Sequence, residues 1–321
     1  MRFGFFLARS IAALGLLGAL VWVGAAPAAA QGNVLKSLNG PARRLLRKGQ
    51  FAALLPEVEQ HLRQDSLNAD LWALRAECHL NENTEAHAAL ALVDLNKALR
   101  LQPNTWAYLA DRGFANSQTF RNAESVADLT AALQQTPADA SLLYLRGYGQ
   151  LATNHLPEAI GDFAQANTLA PQEKDYALWL TFAQMVAGRD ADALRTANAL
   201  VSQNKRYNLA YASRALVRCK LHDAAGARQD ADEANRLSSD STTQFVSAVL
   251  YEKTGDAAKA EQLYAQLQAQ YKGKGSLLFE RGDLYLQFGE VSAAEIYWRQ
   301  AAALGNKHAM GRLAAGFKAK P

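Results

Sequence analysis

Nowhere along this chain do apolar and polar residues alternate over long Val, Ile or Thr runs, and no Asn-Gly turn separates two apolar segments. The pattern therefore predicts no sheet. What recurs has a longer period. Pro103, Pro137 and Pro171 stand 34 residues apart, and small and large apolar residues return in phase with them. Counted from residue 140, Gly147 falls at position 8, Ala159 at 20, Phe163 at 24, Ala166 at 27 and Pro171 at 32. Extending this phase divides the chain into about eight units, near 35–68, 69–105, 106–139, 140–173, 174–207, 208–240, 241–274 and 275–308. The second needs three extra residues, expected in its turn near 81–84, and the sixth is one residue short.

The repeated positions keep their character. Position 8 reads Ala42, Ala76, Gly113, Gly147, Thr181, Ala215, Ala248 and Gly282. Position 20 reads Leu54, Ala91, Ser125, Ala159, Ala193, Ala227, Ala260 and Ala294. Glycine marks the middle of the unit at Gly49, Gly188, Gly255 and Gly289. Past the last unit, Met310, Leu313, Ala314 and Phe317 sit at helical spacing and predict one more helix, a cap over the last repeat, with a short tail. Abundant alanine and only 8 prolines favour helix throughout.

Period and motif together resemble the tetratricopeptide repeat. The resemblance covers nearly all of the chain beyond residue 31. It implies an all-α fold, an alpha-alpha superhelix of about eight helix-turn-helix units (31–308) closed by a C-terminal capping helix and tail (309–321). In such a unit, small residues at 8 and 20 let helices A and B approach closely. The large residue at 24 fills the space beside them, glycine ends helix A, and proline at 32 stops helix B. Stacked units build a concave groove.

Residues 1–30 differ from the rest. Arg2 and Arg9 are their only charges, an apolar run extends from Ile11 to Val23, and Ala28 and Ala30 occupy the small positions of a cleavage site. This predicts a secretory signal peptide, and a run of 13 residues is short for a bilayer span. The expected product is exported, periplasmic or secreted, with no stable span after cleavage; the alternative is a retained membrane anchor, the apolar run being extended through Phe3–Leu7 and Ala25–Ala30. Loss of Arg2 and Arg9 leaves 32 basic against 30 acidic residues, a net charge of +2 in place of +4. So near a balance, with no dense Lys/Arg block, excludes nucleic acid as the expected partner.

No H-E-x-x-H, paired C-x-x-C, P-loop or G-x-S-x-G is present. No enzyme, metal or cofactor is therefore expected, although Cys78, His79, Glu82, Glu85 and His87 cluster around one turn. Cys78 and Cys219 lie four units apart, too far to pair. The resemblance places positions 5, 6 and 9 of helix A in the groove, where Phe114, Tyr144, Tyr148, Trp179, Phe182, Phe245 and Phe279 form a candidate partner-binding stripe. Some relatives clamp a partner's terminal carboxylate with Lys, Asn and Arg at helix-A positions. Leu74, Ala107 and Asp111 stand there instead, so that ligand is not expected. The leading expectation is a scaffold that holds a peptide or protein segment. The alternatives are cell-wall or carbohydrate binding by the same aromatics, or an accessory role in envelope assembly. The second reading of the rings is that they pack on one another.

Overall fold

A computed structural model describes residues 38–269 and 275–314, and the signal-peptide segment, Phe317 and the final tail lie outside them. The described residues form seventeen α-helices and no strand. They divide after Ala170 into two compact bodies.

The N-terminal body holds four helix pairs. These are α1 (Gly40–Arg47) with α2 (Phe51–Gln64), α3 (Ala69–Leu80) with α4 (Glu85–Leu101), α5 (Trp106–Gln118) with α6 (Asn122–Leu133), and α7 (Ala140–Ala152) with α8 (Leu156–Leu169). Each helix packs on the next, α2 through α7 without a break, and helix A of one pair also touches helix A of the following pair, α3 against α5 and α5 against α7.

The C-terminal body repeats the scheme. Its pairs are α9 (Lys174–Val186) with α10 (Asp190–Gln203), α11 (Asn208–Lys220) with α12 (Ala224–Leu237), α13 (Ser241–Lys253) with α14 (Ala257–Gln268), and α15 (Ser276–Gln287) with α16 (Val291–Ala303). Helices α9, α11 and α13 touch in sequence, and α17 (Lys307–Ala314) packs on α16. Each body is thus a solenoid of helix pairs, as the repeat predicts.

Local chemistry explains where the helices begin and end. Asn39, Asn68, Thr84, Asp139, Asp223, Asp240 and Asp256 cap helix N-termini through side-chain oxygens. Between helices A and B the same turn residue is left-handed in all eight pairs: Gly49, Asn83, Phe120, Asn154, Gly188, His222, Gly255 and Gly289. In seven of the eight the next backbone N–H reaches back five residues to close helix A, as from His155 to Gln150 and from Arg189 to Gln184, both at 2.8 Å. Four of the eight are not glycine, so the turn is imposed by the packing on either side of it.

The second pair corrects one expectation. Its turn has the same left-handed residue, Asn83, as the others, and the three surplus residues lie in α4, which is 17 residues long. A helix absorbs extra length along its own axis without disturbing the turn, whereas a longer turn would change how the two helices meet.

The core follows the small-large rule. A Cβ built on Gly282 would lie 2.6 Å from Trp298 Nε1 and 2.9 Å from the Ala294 carbonyl oxygen, and one on Gly147 would lie 3.0 Å from the Phe163 ring. Ala42, Ala76, Ala159, Ala193, Ala215, Ala227, Ala248 and Ala294 are almost wholly buried.

Candidate functional site

Helix A supplies the candidate site in each body, and its seven aromatic residues are all buried, none more than 9 % exposed. In the N-terminal body Phe114 lies on α5, and Tyr144 and Tyr148 lie on α7. Tyr144 meets Phe163 at 5.9 Å between ring centroids. Burial pushes the Tyr148 hydroxyl well above its usual range. In the C-terminal body Trp179 and Phe182 lie on α9, one turn apart, with ring centroids at 6.0 Å and edge to face. Phe245 lies on α13, and Phe279 on α15 beside His308 at 5.9 Å. The stripe is therefore distributed over both bodies.

Trp179 and Phe182 are the two that converge on a cavity. Leu178, Thr181 and Met185 of α9 and Ser213 and Leu216 of α11 complete its lining. The cavity is part open to solvent and its inner space is about 20 Å³, room for a single water until Met185 repacks to admit a larger group. Both lining hydroxyls are turned to their own helices. Thr181 Oγ1 donates to the Ala177 carbonyl at 2.9 Å and Ser213 Oγ to that of Ala210 at 2.9 Å. What remains facing the cavity is apolar.

A ladder of ion pairs that the sequence reading passed over ties helix A to helix B. Arg112 grips Asp128, Arg146 grips Asp162, and Arg214 grips Asp230, each with two side-chain hydrogen bonds between 2.7 and 2.9 Å. Arg75 and Asp94 do the same across the longer α4, the carboxylate lying one turn further along. The aspartates are buried while the arginines keep a fifth or so of their side chains in solvent. Arg112 and Arg214 also reach the preceding helix B, at Asn96 and Asn198. The signal was present as Arg at position 7 and Asp at position 23, but surface carboxylates are too common for the pair to stand out. Among the described residues the ladder is absent from the first, fifth, seventh and eighth repeats, and in the last two Glu252 receives Arg281 together with the hydroxyls of Tyr264 and Tyr297. Burial works to raise the Glu252 pKa, and these donors outweigh it and hold it below the usual range.

Four buried carboxylates break the apolar pattern of helix A, Glu280 and Asp283 on α15 and two in the N-terminal body. Glu77 on α3 and Asp111 on α5 are more than nine-tenths buried, and neither side chain has a hydrogen bond or ion pair among the described residues. Burial pushes Glu77 up to about 7. Burial first, and then the charge of Glu77, pushes Asp111 well above the usual carboxylate range.

The cysteine–histidine turn shows no metal geometry. Cys78 is buried and its thiol is pushed up to about 12 by burial, then by Glu77. His87 Nδ1 engages Thr84 Oγ1 at 2.8 Å. Among the described residues no three His, Cys, Asp or Glu side chains converge as metal ligands. Cys78 and Cys219 are both free, and no helix among the described residues is long and apolar enough to cross a membrane.

No family model matches the sequence, and no curated protein matches it. Solved structures do match. A tetratricopeptide repeat protein from Parabacteroides merdae aligns over 89% of this chain and 98% of its own, at 17% identity and a TM-score of 0.51. Yeast Tom70 aligns over 83% of this chain and 58% of its own, at 15% identity and a TM-score of 0.57. PilF from Pseudomonas aeruginosa aligns over 70% of this chain and 96% of its own, at 18% identity and a TM-score of 0.51. The chain thus has the tetratricopeptide-repeat fold. At these identities the likeness establishes the fold and leaves the partner open.

Proposed function

We propose that this protein is an exported scaffold that binds a peptide or protein segment on its helix-A face and performs no catalysis of its own. The observation that carries the reading is the apolar cavity between α9 and α11. Two buried aromatic rings and Met185 line it, and both of its hydroxyls are occupied by their own helices. Such a wall suits an aliphatic or aromatic anchor of a partner segment once Met185 repacks to admit it, and it favours an apolar group over a sugar. Export rests on the N-terminal pattern of Arg2, Arg9, the apolar run and the Ala28–Ala30 site. A place in envelope assembly accords with that address.

The test begins with affinity capture of partners by the mature protein from its native envelope fraction. Trp179→Ala should then weaken the captured partner by about thirtyfold, as loss of a binding hot spot of about 2 kcal/mol does. Gln262→Ala, on an exposed position of α14, should change nothing. A Trp179→Ala protein that binds normally but melts far below the wild type would show that the ring serves packing alone. N-terminal sequencing of the exported protein tests its address, with Gln31 expected as the first residue.

A further inference from the structure

A second cavity lies within the N-terminal body, between α4 and α6, the B helices of the second and third repeats, with α5 behind them. It is open to solvent, its volume is about 350 Å³, and none of the aromatic stripe lines it. Small ligands occupy spaces of this size.

Its inner wall is the third repeat's rung of the ion-pair ladder. Arg112 of α5 holds Asp128 of α6 at 2.7 and 2.9 Å and reaches Asn96 of α4. These bonds fix the orientation of two amides. Asn96 Oδ1 accepts from Arg112 Nη1 at 2.9 Å, so its Nδ2 is left over as a donor. Asn116 Nδ2 donates to Asp128 Oδ2 at 3.0 Å, so its Oδ1 is left over as an acceptor. Arg112 and Asp128 neutralise each other. The remaining charges are Arg121, the residue before α6, and Glu124 in the first turn of that helix, both exposed. Neither side chain has a hydrogen bond or ion pair among the described residues. Leu92 and Ala127 supply the apolar lining.

Other repeats close this place with their own side chains. In the sixth, Arg218 stands where Asn116 stands in the third. It reaches the Gly226 carbonyl at 3.2 Å and Asp230 at 2.8 Å, and it lies 3.7 Å from Asp223. In the fifth, Arg189 and Asp192 hold the places of Arg121 and Glu124 and pair with each other, Nε to Oδ2 at 2.8 Å. The third repeat does neither. Asn116 is too short to cross the groove, and the two opposite charges both remain available to a ligand.

We propose that this cavity binds a dipeptide with both ends free. Its α-carboxylate meets Arg121, its α-ammonium meets Glu124, and the amide between them meets the Asn96 donor and the Asn116 acceptor. Complementarity selects this class. A simple anion leaves Glu124 opposed, a simple cation leaves Arg121 opposed, and an uncharged sugar leaves both charges unmatched. An aliphatic side chain of the dipeptide lies against Leu92 and Ala127. The site is separate from the helix-A face and does not depend on what that face binds.

The probe is leucyl-alanine, titrated calorimetrically into the mature protein beside acetyl-leucyl-alanine, leucyl-alanine amide and free leucine. The unblocked dipeptide should bind, and loss of either charged end, or of the peptide bond, should weaken binding by about tenfold or more. Arg121→Gln and Glu124→Gln, both on the surface, should each weaken leucyl-alanine to the same degree with an unchanged circular dichroism spectrum. Asn116→Arg copies the sixth repeat and should abolish binding by filling the cavity. Absence of leucyl-alanine binding would overturn the proposal, as would equal affinity for the blocked forms. Binding that persists in Arg121→Gln, Glu124→Gln and Asn116→Arg would place the dipeptide elsewhere and overturn it as well. Free leucine bound as tightly as leucyl-alanine would overturn the dipeptide assignment and leave an amino-acid site.

Discussion

Arg146 holds Asp162 by two parallel hydrogen bonds, Nε to Oδ2 at 2.7 Å and Nη2 to Oδ1 at 2.8 Å, and thereby joins helix A to helix B of the fourth repeat. The carboxylate is buried and the guanidinium mostly so. Removing one partner strands the other. Asp162→Ala should destabilise the protein by roughly 3 kcal/mol, whereas Arg146→Met with Asp162→Leu should recover most of that loss. Urea denaturation of the three proteins measures it, and a double variant as weak as the single one would refute the account.

Glu77 gives stability a pH dependence of unusual sign. Its folded-state pKa is raised to about 7 from 4.5 by burial, so the folded chain holds the proton longer than the unfolded chain. The stability is fully present below pH 4.5, declines as pH rises from there to 7, and stays reduced above. The shift corresponds to about 3 kcal/mol as an order of magnitude. Glu77→Gln should therefore be more stable than the wild type at pH 8 and about equal to it at pH 4. Denaturation midpoints at the two pH values decide, and a constant difference between the proteins would contradict the sign.

Gly282 leaves no room for a side chain. Its absent Cβ would lie under 3.0 Å from both the Trp298 indole and the Ala294 carbonyl oxygen. The indole is itself held, since Trp298 Nε1 donates to Asp283 Oδ1 at 2.9 Å. Gly282→Ala should cost about 2 kcal/mol through overpacking, despite alanine's better helix propensity. A thermal melt that rises on this substitution would show that α15 and α16 can move apart.

The last helix is anchored by a buried charge. Arg312 of α17 reaches Asp283 Oδ1 at 3.0 Å, with 5 % and 1 % of the two side chains exposed, and its guanidinium lies 5.1 Å from the Trp298 ring. Burial lowers the Arg312 pKa against the pull of Asp283. Arg312→Ala should leave that carboxylate uncompensated, cost roughly 3 kcal/mol, and loosen α17 over the eighth repeat. Hydrogen exchange of α15 to α17 reports this, and unchanged protection of α15 and α16 would show that α17 does not serve as a cap.

The amino-acid sequence by itself determined the repeat. Small residues at positions 8 and 20 and large ones at 24 are demands of close helix contact, and they act locally enough that a 34-residue period displays them. The same holds for alanine content, and the last helix stands where its spacing predicts, but the residues it buries are Ala309 and Arg312 while Met310 stays exposed. What the tertiary structure decided involves partners brought together from different helices. A single sequence cannot reveal that Phe120 and His222 take the left-handed turn that glycine takes elsewhere, because flanking helices force it. Nor does it reveal that Trp179 and Phe182 share a cavity with Leu216 while Phe245 does not. Arg146 and Asp162 read as surface charges until the fold buries them against each other. Glu77 carries no signal in the sequence, and Asp111 only the mismatch with a carboxylate clamp, since desolvation depends on neighbours that only the packed chain supplies.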